Sequence, residues 1–181
     1  MMAVFLDRDG VITKSINING KGYAPKILKD FKIFPTAIKA VNKLKKAGFF
    51  VFVVTNQPDI GNGLVPKNRI TLMHKILKKK MKLDEIVTCP HKQNAKCYCR
   101  KPKPGMILSL AKKYKINLKK SFMVGDRAID IKAGKLAKCR TIYIKQNYIE
   151  KKPKDQEATF STLLEASKYI IKNTDIEYAK N

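Results

Sequence analysis

The chain of 181 residues has the length of one ordinary domain, and its 44% hydrophobic residues are typical of a globular protein. No apolar run approaches the ~18 residues that span a membrane, and we see no secretory signal, so we expect a cytoplasmic protein. Lys and Arg number 39 against 14 Asp and Glu, which gives a net charge of +25. This excess of positive charge makes nucleic-acid binding a candidate function.

The basic residues are spread along the chain and do not form one stripe interleaved with aromatic residues. Lysines occur in nearly every predicted helix, as in NKLKKAG, KILKKKMK and AKKYKINLKK. Arginine, the better ligand of phosphates and bases, occurs only five times. We therefore interpret the charge as a solvated surface whose field would attract anionic substrates. A basic, zinc-stabilised nucleic-acid-binding module ranks behind an enzyme as the function.

Apolar runs alternate with helical periodicities along the chain. The predicted strands are 3–7, 49–55, 85–89, 121–125, 140–145 and a weaker one near 158–160. The predicted helices are 35–47, 66–82, 105–115, 128–137 and 161–173. Nearly continuous apolar strands are typical of a parallel sheet covered on both faces. We predict a doubly wound, three-layer, Rossmann-like α/β fold in one domain over 1–173, with a C-terminal tail at 174–181.

Polar residues follow the predicted strands, at the edge where such sheets bind ligands. They are Asp7-Arg8-Asp9, Thr55-Asn56-Gln57, Gly125-Asp126-Arg127 and, in the loop after the third strand, Arg100-Lys101. Turn chemistry alone would account for any one of these groups. Together, the four strand ends carry three carboxylates, a hydroxyl, an amide and two cations. This combination favours a binding site.

These groups have the chemistry of phosphoryl transfer. Asp7, Asp9 and Asp126 form a hard oxygen cluster suited to magnesium, and Thr55 and Lys101 would help to hold a dianion beside it. One carboxylate can act as a nucleophile through an acyl-phosphate, and a second can serve as general acid and then as base. Asp7 and Asp9 point the same way because alternate strand residues share a direction.

Four segments, FLDRDGVI, VVTNQ, CRKPKPGM and MVGDRAIDI, together resemble the motifs of the haloacid dehalogenase-like phosphatases, in their order and over about the first 145 residues. The run CPHKQNAKCYCRKPKPGM narrows the resemblance to the subgroup that acts on D-glycero-D-manno-heptose 1,7-bisphosphate or on histidinol phosphate. The resemblance implies a magnesium-dependent phosphatase without a cap domain. Asp7 would be the nucleophile and Asp9 the acid/base, while Thr55 and Lys101 would stabilise the phosphoryl group.

The resemblance also implies a magnesium site formed by Asp7, Asp126 and the backbone carbonyl of Asp9. Asp130 would support the site or stabilise a helix N-terminus. Removal of the 7-phosphate of the heptose bisphosphate is the first substrate hypothesis, because we see no second catalytic domain of the kind that accompanies histidine biosynthesis. Histidinol phosphate, another small phosphate ester and a nucleic-acid end remain alternatives, the anomer stays open, and we expect a monomer.

Residues 14–34 are long enough to lean over the pocket but too short for a cap domain. The resemblance places a substrate loop within them, at Gly20, Lys21, Gly22 and Tyr23. After the second strand, we expect the site to be lined by Asn56, Gln57 and Pro58. Arg100 and Arg127 are positioned to bind a second anionic group, as would suit a bisphosphate.

A second metal site is predicted from four soft ligands within eleven residues: Cys89, His91, Cys97 and Cys99. Three thiolates and an imidazole make a full tetrahedral set, which is typical of structural zinc and unsuited to magnesium. This zinc loop, residues 89–101, runs directly into Lys101, so we expect it to hold that lysine against the sheet. We expect Cys139 to be a small buried residue and His74 to be no ligand.

Overall fold

The computed structural model describes residues 1–174, so the predicted tail lies outside the described residues except for its first position. Six strands form one parallel sheet: β1 (Ala3–Leu6), β4 (Phe50–Asn56), β5 (Glu85–Cys89), β6 (Phe122–Gly125), β7 (Arg140–Ile144) and β8 (Ala158–Phe160). Their order across the sheet is β5-β4-β1-β6-β7-β8. An antiparallel hairpin of β2 (Ile16–Ile18) and β3 (Lys21–Tyr23) lies between β1 and the first helix.

Helices cover both faces of the sheet. They are α1 (Pro35–Lys46), α2 (Pro58–Gly61), α3 (Lys67–Lys80), α4 (Gly105–Tyr114), α5 (Ala128–Leu136) and α6 (Leu163–Lys172). Buried residues of α1, α3 and α6 pack on one face, and those of α4 and α5 on the other. None of the helices within residues 1–174 combines the length and the apolar character that a membrane crossing requires.

The alternation of strand side chains explains this three-layer arrangement. Val4 and Leu6 of β1 contribute to the core under α1, while Ala3 and Phe5 contribute to the opposite core under α4. Because both faces are buried at the centre of the sheet, β1 and the middle of β4 are apolar throughout, as the sequence indicated. The predicted fold class is confirmed, and every predicted helix and strand is present with ends shifted by at most two residues.

Two short features were not predicted, namely the β2–β3 hairpin and α2. Each strand of the hairpin has three residues and α2 has four, so neither is long enough to show a hydrophobic period. The hairpin occupies the segment that the sequence analysis placed over the pocket.

The sheet brings its polar strand ends together. β1 lies between β4 and β6, with Leu6 paired to Val53 and Val124, and the Asp7 N–H donates to the Val124 carbonyl at 2.9 Å. The residues that follow β1, β4 and β6 therefore emerge side by side at one edge.

Leu77→Ala should lower the free energy of unfolding by about 2–5 kcal/mol, because Leu77 of α3 is fully buried and its removal leaves a cavity. Leu72→Ala on the same helix is the matched control, since Leu72 is 44% exposed, and it should change stability by at most about 0.5 kcal/mol. Urea unfolding followed by circular dichroism measures both. A single transition is expected for one domain, and equal effects of the two substitutions would contradict the assigned packing.

Candidate active site

A cavity of about 390 Å³ opens at the carboxyl edge of the sheet. Residues that the sequence singled out form most of its lining: Asp7, Asp9, Lys21, Gly22, Tyr23, Thr55, Asn56, Pro58, Arg100, Lys101, Asp126 and Arg127. This volume is that of a small-molecule site. The strand-end argument therefore located the cavity.

Two residues predicted to contact substrate lie outside the lining. Gly20 is at the hairpin turn, and its carbonyl accepts from the Ile149 N–H at 2.8 Å. Gln57 is buried, and its amide donates to the Asp9 carboxylate and to the Thr55 hydroxyl, each at 2.9 Å. Gly20 shapes the hairpin and Gln57 orients two site residues, because their polar groups are engaged within the protein.

Three buried carboxylates form the centre of the site. Asp7, Asp126 and Asp130 each offer an oxygen within 4.8 Å of the others. The Lys101 ammonium lies between two of them, 2.6 Å from Asp7 Oδ1 and 2.7 Å from Asp130 Oδ1. This acid cluster thus holds three negative groups against one buried lysine.

The excess of acids over cations in the cluster contributes to raised pKa values of two of these acids. Burial raises the pKa of Asp7 to about 6, although Lys101 opposes the rise. Burial, together with the charges of Asp7 and Asp130, also raises the pKa of Asp126 well above its usual value. Asp126 Oδ1 is buried without a hydrogen-bond partner among residues 1–174. A hard divalent cation fits these oxygen donors and would supply the missing positive charge.

Lys101 is held in place from its backbone as well as its side chain. The Asn56 amide donates to the Lys101 carbonyl and accepts from the Lys101 N–H, each at 3.1 Å. Burial disfavours the ammonium, but the carboxylates of Asp130 and Asp7 outweigh that effect and raise the pKa of Lys101. The end of β4 therefore fixes a permanently charged lysine beside Asp7.

Asp130 has two functions in the structure. One carboxylate oxygen pairs with Lys101, and the other accepts from the Arg127 N–H at 3.1 Å at the start of α5. The sequence analysis left helix stabilisation and support of the site as alternatives. The geometry shows both, because the helix N-terminus points its free N–H groups toward the same carboxylate.

The Asp9 carboxylate is oriented by a buried arginine. Arg8 is fully buried and donates to Asp9 through Nε at 3.0 Å and through Nη2 at 2.8 Å, while the Thr13 hydroxyl donates at 3.0 Å. Arg8 Nη1 lies 3.1 Å from His74 Nε2, and burial and Arg8 lower the pKa of His74 to about 4. His74 is therefore a neutral acceptor for Arg8, away from both candidate metal sites.

The two cavity arginines differ in their partners. Arg127 pairs with Glu150 at 2.6 Å and also donates to the Gly22 carbonyl. Arg100 Nη1 is buried and has no hydrogen-bond partner within the described part of the chain. Arg100 is thus the better placed of the two to bind an anion that enters the cavity.

The four soft ligands converge in the loop that leads to Lys101. The Cys89 and Cys97 sulfurs are 3.8 Å apart, and His91 Nδ1 lies 3.5 Å from Cys89 Sγ and 3.3 Å from Cys99 Sγ. Tetrahedral zinc, with Zn–S about 2.3 Å and Zn–N about 2.0 Å, requires S···S of about 3.8 Å and S···N of about 3.5 Å. The donors fit a closed tetrahedral zinc site. Cys139 lies apart from them and is buried, as expected.

Part of the lining was not predicted from the sequence. The missed residues are Ser15, Ala24, Asp59, Gln93, Ile129, Tyr148 and Glu150. Tyr148 and Glu150 follow β7, which ends at the same edge as the other strands. The strand-end argument applied to residues after 145 would have found these two.

Asp126→Asn should separate the destabilisation that the acid cluster causes without a cation from the stabilisation that follows when magnesium binds to it. Without a divalent cation at pH 8, the variant should melt a few degrees higher. Burial and the charges of Asp7 and Asp130 raise the pKa of Asp126, so this acid costs stability at a pH where the unfolded chain carries it ionised, and an amide has no such cost. Wild type should gain about 2.7 kcal/mol of unfolding free energy at a magnesium concentration 100 times the dissociation constant, and the variant should lose most of that gain. Thermal melts in chelator and in magnesium measure both.

Asp59→Asn is the matched control for that experiment. Asp59 lines the same cavity outside the acid cluster, so its substitution should preserve the wild-type response to magnesium. A full magnesium response in Asp126→Asn would show that the cation binds elsewhere.

Comparison with known proteins identifies relatives over most of the chain. This chain is 34% identical over 179 residues to the D-glycero-alpha-D-manno-heptose-1,7-bisphosphate 7-phosphatase of Photorhabdus laumondii. The aligned region covers 92% of this chain and 94% of that protein. It is also 35% identical over 144 residues to the D-glycero-beta-D-manno-heptose-1,7-bisphosphate 7-phosphatase of Helicobacter pylori. That aligned region covers 76% of this chain and 80% of the relative.

Solved structures show the same fold. The D,D-heptose 1,7-bisphosphate phosphatase from B. bronchiseptica, crystallised with magnesium and phosphate, matches with a TM-score of 0.81 at 24% identity, over 95% of this chain and 99% of that one. The sequence model of the haloacid dehalogenase-like hydrolases matches residues 21–138. The chain therefore belongs to the haloacid dehalogenase-like hydrolase family.

Proposed function

We propose that the protein is a magnesium-dependent phosphatase that removes the 7-phosphate of D-glycero-D-manno-heptose 1,7-bisphosphate through an aspartyl-phosphate. The observation that carries the proposal is the acid cluster, in which three buried carboxylates surround a single lysine. Relatives named as heptose bisphosphate 7-phosphatases cover most of the chain and support the substrate.

In the first step, a carboxylate oxygen of Asp7 attacks phosphorus, and the bond from phosphorus to the ester oxygen breaks. Asp9 donates a proton to the leaving sugar oxygen, and Arg8, Thr13 and Gln57 hold the Asp9 side chain for that transfer. A covalent intermediate divides a difficult hydrolysis into two easier steps.

In the second step, Asp9 takes a proton from water as the water oxygen attacks phosphorus. The bond between phosphorus and Asp7 then breaks, which releases phosphate, restores the Asp7 carboxylate and leaves Asp9 protonated as at the start. Lys101 and the Thr55 hydroxyl stabilise charge on the transferring oxygens, since both line the cavity beside Asp7.

Asp7, Asp126 and the backbone carbonyl of Asp9 would hold the magnesium ion, with Asp130 beside them. The ion would neutralise charge on the phosphoryl oxygens and allow two anions, the nucleophile and the substrate, to approach. The raised pKa values of Asp7 and Asp126 agree with a site that lacks that positive charge.

The second phosphate of the substrate would pair with Arg100, whose buried Nη1 has no partner within residues 1–174. Lys21 and Tyr23 of the hairpin would contact the sugar between the two phosphates. Histidinol phosphate carries one phosphate and would leave Arg100 without an anion, so the bisphosphate is the better match. Arg127, already paired with Glu150, would orient the hairpin and bind the second phosphate only weakly.

We also propose that Cys89, His91, Cys97 and Cys99 bind one structural zinc ion. Their spacing in the structure supports a tetrahedral site, and the loop leads directly to Lys101. Zinc would thereby fix the lysine that neutralises the acid cluster. The monomeric state and the cytoplasmic location stay predictions.

A panel of phosphate esters, assayed by phosphate release, tests the substrate. The panel contains both anomers of the heptose bisphosphate, histidinol phosphate and a 5′-phosphorylated oligonucleotide. We expect kcat/KM for the bisphosphate to exceed the other values about 10- to 100-fold, because a charge-assisted contact with Arg100 contributes about 1.5–3 kcal/mol. Preference for histidinol phosphate or the oligonucleotide would contradict the assigned substrate.

Asp7→Asn is the control for the same assay. An amide cannot form the acyl-phosphate, so the variant should release no phosphate from any ester. Residual turnover near the wild-type rate would exclude the covalent mechanism while leaving the substrate ranking intact.

Cys97→Ser should lower kcat although it alters no group in the cavity lining. Loss of one zinc ligand frees residues 89–101, and about 1 Å of displacement at Lys101 is enough to cost about a hundredfold in rate. Metal analysis should find about one zinc per wild-type chain and much less in the variant. Cys139→Ser is the matched control, since Cys139 lies outside the cluster. A zinc-free wild-type preparation with full activity would contradict the proposal.

A further inference from the structure

The segment that follows β7 lies across the substrate hairpin. We call residues 146–150 the β7 strap. Its polar contacts with the segment 10–22 are Gln146 Nε2 to the Gly10 carbonyl at 2.7 Å, Asn17 Nδ2 to the Asn147 carbonyl at 3.0 Å, and Ile149 N–H to the Gly20 carbonyl at 2.8 Å. At its end, Glu150 pairs with Arg127. The strap is therefore hydrogen-bonded to the hairpin at Asn17 and Gly20.

Tyr148 is at the centre of the strap. Its ring lies against the backbone of Gly22, where a Cβ would come within 2.4 Å of Tyr148 Cζ. The Arg127 guanidinium covers the ring at 5.7 Å from its centroid. The Tyr148 hydroxyl is 2.5 Å from the Ser15 hydroxyl, one residue before the hairpin. Ring and hydroxyl thus contact the hairpin segment independently.

The same hydroxyl reaches the acid cluster. A Cβ on Gly10 would lie 2.0 Å from Asp126 Oδ2 and 2.9 Å from the Tyr148 hydroxyl, so both atoms occupy the space above that glycine. The hydroxyl therefore lies near the Asp126 carboxylate and also contacts the Ser15 hydroxyl. A phenol has one proton and can also accept, so it can donate to a carboxylate while it accepts from a serine hydroxyl.

Tyr148 therefore lies between two parts of the site. On one side is the hairpin expected to contact the sugar, and on the other is the carboxylate expected to hold the cation. Hydrogen-bond partners of a metal ligand orient it and alter its basicity, and their loss typically weakens metal binding 10- to 100-fold.

We propose that Tyr148 is a positioning residue that couples the substrate hairpin to Asp126. Its hydroxyl orients the Asp126 carboxylate for the cation, and its bond to Ser15 holds the hairpin for the substrate. Cation binding and hairpin order then favour each other. The proposal rests on the phosphatase function of the site, and it adds a residue that follows a strand outside the four recognised motifs.

Tyr148→Phe tests the proposal, because it keeps the ring against Gly22 and Arg127 and removes only the hydroxyl. Calorimetric titration of the magnesium-free protein, with its zinc retained, should show a magnesium dissociation constant about 10-fold higher for the variant than for wild type. KM for the heptose bisphosphate should rise several-fold, whereas KM for acetyl phosphate, which is too small to reach the hairpin, should change less. Unchanged magnesium affinity would overturn the proposal.

Two further variants separate coupling from a general structural effect. Tyr169→Phe removes a hydroxyl on the distant helix α6 that bonds to Glu157 at 2.9 Å. It should change neither the magnesium affinity nor KM for the bisphosphate. Ser15→Ala cuts the bond between Tyr148 and the hairpin segment, so it should raise KM for the bisphosphate. Because coupling is reciprocal, it should also weaken magnesium binding, but less than Tyr148→Phe does. The double variant should have no higher KM than Tyr148→Phe, and additive effects would show that the two residues act separately.

The magnesium titration involves no turnover, so it also separates this proposal from the assigned function. Weaker magnesium binding by Tyr148→Phe supports the link to Asp126 even if wild type rejects every sugar phosphate. Wild-type activity on the heptose bisphosphate combined with normal magnesium binding by Tyr148→Phe would retain the function and reject the coupling.

Discussion

The ion pairs of Lys101 with Asp7 and Asp130 are the interaction on which the site depends. A buried ammonium costs several kcal/mol in lost hydration unless opposite charges face it, so the three groups must remain together. They come from the end of β1, the loop after β5 and the start of α5. The parallel sheet supplies the common edge, and Asn56 secures the Lys101 backbone.

These ion pairs leave the acid cluster with excess negative charge. Lys101 pairs with one carboxylate oxygen of Asp7 and one of Asp130, while Asp126 keeps a buried oxygen without a hydrogen-bond partner in residues 1–174. A protein that functioned without a cation would be more stable with an amide or an apolar residue at such a position. The instability of the isolated cluster and its capacity to bind a cation and then a phosphate dianion therefore have one cause.

The parts of the site divide between rigid strand ends and attached loops. The strand ends carry the groups that we propose for phosphoryl transfer, and relatives at about 35% identity cover most of the chain. The zinc loop brings Arg100 and Lys101 to the cavity, and the hairpin and the β7 strap form its outer wall. The proposed zinc ion and Tyr148 would have comparable functions, because each fixes a loop whose short length gives it little core of its own.

The sequence by itself determined the fold class, the strand ends with Asp7, Thr55 and Asp126, and the four soft ligands. Periodicity and short spacing are local properties, and parallel strands necessarily end at one edge. Only the tertiary structure decided that Gln57 turns toward Asp9, that Asp130 joins the acid cluster, and that Tyr148 reaches Ser15. Such contacts join residues far apart in the chain, and their partners are set by how loops pack on the finished sheet, for which no local pattern exists.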